Sequence, residues 1–143
     1  MSDIKKIEEL LGKEKELILA AIDAQAHAYC PYSDYPVGAA VLSESGQIQV
    51  GWNVETVSFS ESTHAEQNAI CRMLKDDRII KVIAFVSKDG GAPCGHCRQI
   101  ISEFAAPDIK ILGFSTITNI VTKSTLSELL PFPMKTGKNA LKN

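Results

Sequence analysis

The chain has 143 residues, 45% apolar and 22% charged, a composition that fits one globular domain with a real core and excludes a disordered segment. Fifteen Lys and Arg against seventeen Asp and Glu leave a net charge of −2, which disfavours a protein that works by gripping nucleic-acid phosphates. The longest apolar run, Leu17 to Ile22, has six residues. It is too short for a membrane span and lacks signal-peptide flanks, so a cytoplasmic protein without a membrane partner is expected.

Residues 3–28 read as a helix, capped by Ser2 or Asp3 and interrupted at Gly12. Leu17, Ala21, Ala24 and Ala28 give its second part a small apolar face, and Pro31 ends it. Val37–Leu42 and Gln47–Val54, joined by Ser43-Glu44-Ser45-Gly46, read as a hairpin. Thr63–Lys75 reads as a helix with Ala69, Ile70, Met73 and Leu74 inward. The continuous apolar run Val82–Val86 reads as a strand covered on both faces. Gly90-Gly91-Ala92-Pro93 forms a loop, followed by a helix over Cys94–Phe104 and a strand over Ile109–Leu112. Strand, helix and strand in that order imply a right-handed parallel crossover. A weaker strand near Ile117–Val121, a short helix over Ser124–Leu130 and a partly irregular tail over 131–143 complete the chain. With no repeat or linker to divide it, residues 1–143 read as a single domain. It is an α/β fold, a three-layer α/β/α sandwich around a mixed five-stranded sheet.

Two segments carry chemistry: His64-Ala65-Glu66 and Pro93-Cys94-Gly95-His96-Cys97. The C-x-x-C spacing puts two sulfurs about one helical turn apart, where they can take adjacent corners of a zinc tetrahedron. The start of a helix favours their thiolate forms. His64, at another predicted helix start, can supply a third corner, leaving the fourth open for water. Glu66 then stands where it can shuttle a proton.

Each piece has a plainer reading. Thr63-x-x-Glu66 alone is a capping box. Cys94 and Cys97 alone could be a redox pair, or part of a closed structural site completed by Cys30, Cys71, His27 or His96. His96 is expected to point away from the ligands, His27 to lie on a helix surface, and Cys30 and Cys71 to be small buried hydrophobes. H-x-E followed by P-C-x-x-C is nevertheless the signature of zinc nucleobase deaminases. The joint pattern favours a catalytic zinc centre.

From about Leu17 to Pro131 the chain resembles the cytidine deaminases. The resemblance is carried by Tyr29-Cys30-Pro31-Tyr32-Ser33, Val37-Gly38-Ala39-Ala40, Gly51-Trp52-Asn53-Val54-Glu55, His64-Ala65-Glu66-Gln67, Pro93-Cys94-Gly95-His96-Cys97-Arg98-Gln99 and Glu128-Leu129-Leu130-Pro131. It implies hydrolytic deamination of cytidine and deoxycytidine in pyrimidine salvage, with one Zn²⁺ per subunit held by His64, Cys94 and Cys97 and Glu66 as the proton shuttle. It also implies that Asn53 and Glu55 hold the ribose hydroxyls beside the Val54 backbone. Tyr35 takes a position usually held by Phe near the base, and the Ala65 backbone faces the pyrimidine. A small nucleoside is the implied partner, and a homotetramer the favoured assembly, with a dimer as the alternative. Single-domain members often place cysteine at position 64 and arginine at 67. Two thiolates and an imidazole leave the zinc core neutral, so Gln67 needs no compensating charge. The chain departs from the family over Thr56–Thr63 and near Phe132. A blasticidin-type aminonucleoside deaminase and a non-catalytic zinc-stabilised module are the competing readings, and a nucleic-acid editing enzyme is disfavoured by charge.

Overall fold

Apolar residues alternate along the central strands, and each parity faces a different helical layer. The computed structural model describes residues 3–135. The strands are β1 (Asp3–Lys6), β2 (Gly38–Ser43), β3 (Ile48–Trp52), β4 (Ile80–Ser87), β5 (Ala105–Ser115) and β6 (Ile120–Thr125). The helices are α1 (Gly12–Gln25), α2 (Ala65–Met73), α3 (Gly95–Phe104) and α4 (Leu126–Leu129). One six-stranded sheet runs in the order β1-β6-β5-β4-β2-β3. Only β4 and β5 pair in parallel, joined through α3 as the crossover requires. Ala40, Ala84, Val86, Leu112 and Phe114 pack with Leu17, Ile18 and Ala21 of α1. Ala39, Val41, Ile83, Phe85 and Ile111 pack with Ala65, Ala69, Ile70 and Met73 of α2, Ile101 of α3 and Leu126 of α4. The result is the expected three-layer sandwich.

The sheet has six strands, not five, because the expected helix over 3–28 does not begin at residue 3. Asp3–Lys6 pair antiparallel with 120–123, and a short 3-10 turn over Ile7–Glu9 follows. The segment is rich in helix formers, but so short a helix is marginal alone, and the open edge of β6 gives its backbone a ladder instead. Gly12, at φ +62°, marks where α1 takes over. The helix ends at Gln25, before Ala28. The proposed Ser2 cap lies outside the described residues, as does the tail beyond 135. Farther along, a turn through Asn119, at φ 59°, moves the strand expected at 117–121 to 120–125. The short helix is accordingly confined to 126–129, with Thr125 and Glu128 as its capping box.

Two close approaches place the helices on the sheet. A Cβ at Gly38 would lie 2.1 Å from the Ala21 carbonyl oxygen of α1. One at Gly51 would lie 2.3 Å from Ala69 N and 2.4 Å from Ala65 O of α2. Only glycine lets β3 and α2 come so near, and that contact sets the depth of the α2 N-terminus.

Candidate active site

His64 is the N-cap residue of α2, in extended conformation at φ −88°, ψ 152°. The capping box proposed for Thr63 and Glu66 does not form. Gln67, three residues beyond the cap, accepts the His64 N–H at 3.4 Å instead. Glu66 is thereby free of capping and turns inward, 5% exposed. Asn68 Nδ2 fastens the helix start by donating to the Trp52 carbonyl at 2.7 Å and to Thr63 Oγ1 at 3.0 Å.

The second helix tip meets the first. Cys94 caps α3, and Cys97 lies in its first turn, 1% exposed. Cys94 Sγ is 3.3 Å and Cys97 Sγ 3.4 Å from His64 Nδ1. Among the described residues these three donor atoms are the group able to share a metal ion, all within 4.8 Å of one another. Nitrogen and sulfur at adjacent corners of a zinc tetrahedron stand about 3.5 Å apart, so the spacing suits that ion. Arg98 braces the turn: its Nε donates to the Pro93 carbonyl at 2.6 Å and its Nη1 to the Leu129 carbonyl at 2.8 Å.

Burial also sets the electrostatics of this group. The Cys97 thiol donates to Glu66 Oε2 at 3.4 Å. Burial first, then the Glu66 charge, pushes the Cys97 thiol far above the usual thiol range. Burial likewise raises the Glu66 carboxyl. Two acids buried together resist ionisation unless a cation lies beside them. Two sulfurs and an imidazole match the donor preference of zinc.

The remaining histidines and cysteines stand elsewhere. His96 is exposed, its ring centroid 5.0 Å from that of His64. His27 is exposed, with its ring 4.9 Å from Trp52. Cys30 is half-buried, but Cys71, expected inside, is exposed. It lies on the outward side of α2, whose inward positions are Ala69, Ile70 and Met73.

A cavity of ≈ 310 Å³ opens over the helix tips, within the size range of small-molecule sites. Tyr35, Asn53, Glu55, His64, Ala65, Glu66 and Cys94 line it. Phe85 and Ser87 line it too. Sequence reading missed both, although they end the first parallel strand, beyond whose carboxyl end α/β ligands bind. The wall opposite the helix tips is the 29–37 loop, joined to 53–55. Asn53 Oδ1 accepts the Val37 N–H at 2.9 Å, and its Nδ2 donates to the Tyr35 carbonyl at 3.0 Å. Glu55 Oε1 accepts the N–H groups of Tyr32 and Ser33, each at 3.1 Å. Hydrogen bonds from Ser33, then Tyr32, hold the Glu55 carboxyl below its ordinary value. Val54 stands behind the lining. Its N–H donates to the Thr63 carbonyl at 3.0 Å, and its own carbonyl accepts the Thr63 N–H at 2.8 Å.

The chain is similar to known proteins over most of its length. The model of the cytidine and deoxycytidylate deaminase zinc-binding region matches residues 11–112. The chain is 36% identical over 120 residues to a cytidine deaminase of Sporosarcina psychrophila, covering 82% of this chain and 88% of that protein. It is 36% identical over 118 residues to one from Halalkalibacterium halodurans, covering 80% and 89%. The crystal structure of cytidine deaminase from Burkholderia pseudomallei superposes with a TM-score of 0.79 at 32% identity, covering 87% of this chain and all of that one.

Proposed function

The chain belongs to the cytidine and deoxycytidylate deaminase family, and from that premise we propose that it hydrolyses cytidine and deoxycytidine to uridine and deoxyuridine, releasing ammonia. The observation that carries this reading is the meeting of His64, Cys94 and Cys97 beside a buried Glu66, at the floor of a cavity with Asn53 and Glu55 on its wall. His64, Cys94 and Cys97 would hold one Zn²⁺ per subunit. Zinc bound there supplies Lewis acidity and a water made acidic enough to react at neutral pH.

The chain's own residues do the rest. Glu66 accepts a proton from the attacking water and delivers it to N3, which makes C4 electrophilic. Water adds across the C4–N3 bond. Glu66 then takes the remaining proton from the new C4 hydroxyl and passes it to the exocyclic amine; the C4–N bond breaks, the C4 carbonyl forms and ammonia leaves. Positioned proton transfer of this kind contributes about 10²–10⁴-fold. The Ala65 backbone faces the pyrimidine and Tyr35 flanks it. Asn53 and Glu55 take the ribose hydroxyls with their remaining hydrogen-bonding capacity, and the Val54 backbone holds those two residues in place. Glu55 is anionic, and among the described residues the lining contains no Lys or Arg. Both features favour an uncharged nucleoside over a nucleotide phosphate.

The same reading makes this a cytoplasmic enzyme of pyrimidine salvage and a homotetramer, with a dimer as the next assembly. Exposed apolar side chains at Val57 and Phe59 support an oligomer. Among the described residues no helix is long and apolar enough to cross a membrane.

The test is an ultraviolet assay of purified protein on cytidine, deoxycytidine, deoxycytidine monophosphate, a blasticidin-type aminonucleoside and a single-stranded oligonucleotide, with zinc measured on the same sample. Turnover of the two free nucleosides with about one zinc per chain is expected. Turnover of only the monophosphate, the antibiotic or the oligonucleotide would overturn the assignment.

A further inference from the structure

Two hydrogen bonds join the 29–37 loop to the turn after β4, and the deamination chemistry does not call for either. The Tyr35 hydroxyl donates to Asp89 Oδ2 at 2.9 Å. Lys88 Nζ donates to the Asp34 carbonyl at 3.2 Å. Neighbouring residues on one wall thus meet neighbouring residues on the other. We propose that Tyr35 and Asp89 form a clasp that fixes the spacing between the Asn53–Glu55 wall and the loop leading to Cys94, so that both are positioning residues for the nucleoside. The proposal rests on the deamination reading above.

Each wall is tied within itself, and the clasp joins them. On one side, the Tyr35 carbonyl accepts Asn53 Nδ2 at 3.0 Å, and Tyr35 N–H donates to Ser33 Oγ at 3.1 Å. Asp34 holds φ 52°, a left-handed conformation that aspartate adopts more readily than most residues. On the other side, Gly90 N–H donates to Ser87 Oγ at 2.9 Å, and Ser115 Oγ donates to the Lys88 carbonyl at 2.7 Å. Gly90 sits at φ +64°, and a Cβ there would come within 2.8 Å of Ser115 N, so this loop is seated on the end of β5. Asp89 lies five residues before Cys94 on the same loop. Tyr35 lines the cavity while its hydroxyl reaches the Asp89 carboxylate. A clasp between walls touches no reacting atom, so its loss weakens substrate positioning more than the chemical step.

The test uses zinc-loaded enzyme and the variants Tyr35→Phe, Asp89→Ala, Asp89→Asn and the double Tyr35→Phe/Asp89→Ala. Tyr35→Phe keeps the ring and removes only the donor. It should raise KM for cytidine about three- to tenfold, with kcat within about twofold, and speed amide deuterium exchange over residues 88–91. Asp89→Ala should match it. Asp89→Asn keeps an acceptor and should stay near wild type. The double variant should be no worse than either single one. Additive losses, or unchanged KM and exchange in Tyr35→Phe, would overturn the clasp. A wild-type enzyme inert towards cytidine would defeat the deamination reading instead, and the exchange measurements would still decide the clasp.

Discussion

At the floor of the cavity, His64, Cys94, Cys97 and Glu66 stand together on two helix tips. At the opposite wall, Asn53 and Glu55 hold a loop through backbone N–H and carbonyl groups. The floor has little room to move: Glu66 and Cys97 are 5% and 1% exposed, and α2 is fixed against Gly51. The wall is half-buried or exposed, and its bonds compete with water. Chemistry that needs donor atoms within a few tenths of an ångström is built on rigid elements, and recognition on adaptable ones. Damage to the floor should therefore abolish turnover, while damage to the wall should change affinity.

The largest expected effect is at Cys97. Cys97→Ala removes one of three donors and should leave purified protein with far less than one zinc and no measurable deamination; metal analysis paired with the cytidine assay checks it. Glu66→Gln comes next. It should keep fold and zinc while losing about 10²–10⁴-fold in kcat, and steady-state kinetics on the zinc-loaded variant decide this. An undiminished rate would remove Glu66 from proton transfer. Gly51→Val tests the mechanical link between β3 and the floor. A side chain at that contact should cost about 3 kcal/mol of stability, seen as a lowered Tm in thermal denaturation.

Effects at the wall should be milder. Glu55→Gln should raise KM for cytidine about five- to tenfold and leave kcat nearly unchanged. A collapse of kcat instead would erase the distinction between wall and floor. The smallest effect is a pH dependence. Glu55 has a carboxyl pKa lowered below 4.5 by its bonds from Ser33 and Tyr32. Glu55 thus stays ionised in the folded enzyme until pH falls below the ordinary carboxyl range. KM should therefore stay flat in this respect down to about pH 4.5 and rise only below it. Glu55→Gln should lack that rise.

The meeting of His64, Cys94 and Cys97 was readable from sequence because it rests on local spacings. Two residues separate Cys94 from Cys97, and one separates His64 from Glu66, and each short segment starts a helix. The hairpin and the β4–α3–β5 crossover were readable for the same reason: Val82–Val86 and Ser43–Gly46 carry their signals locally. What escaped depends on distant partners. Asp3–Lys6 pair with 120–123 at a sheet edge, and nothing in those four residues announces it. Asn119 delays β6 by taking a left-handed turn. Cys71 falls on the outward side of α2 because Ala69, Ile70 and Met73 claim the inner one. The choice between Glu66 and Gln67 as capping partner turned on one residue of helix phase. Thr63 and His64 are both credible starts, and the Gly51 contact that sets the depth of α2 lies outside the motif.

The most direct measurement is zinc K-edge X-ray absorption on the purified wild-type protein. Two sulfur neighbours at about 2.3 Å and two nitrogen or oxygen neighbours at about 2.0 Å are expected for His64, Cys94, Cys97 and a water. Three or four sulfur neighbours, or a shell of oxygens alone, would contradict a metal shared by those three side chains.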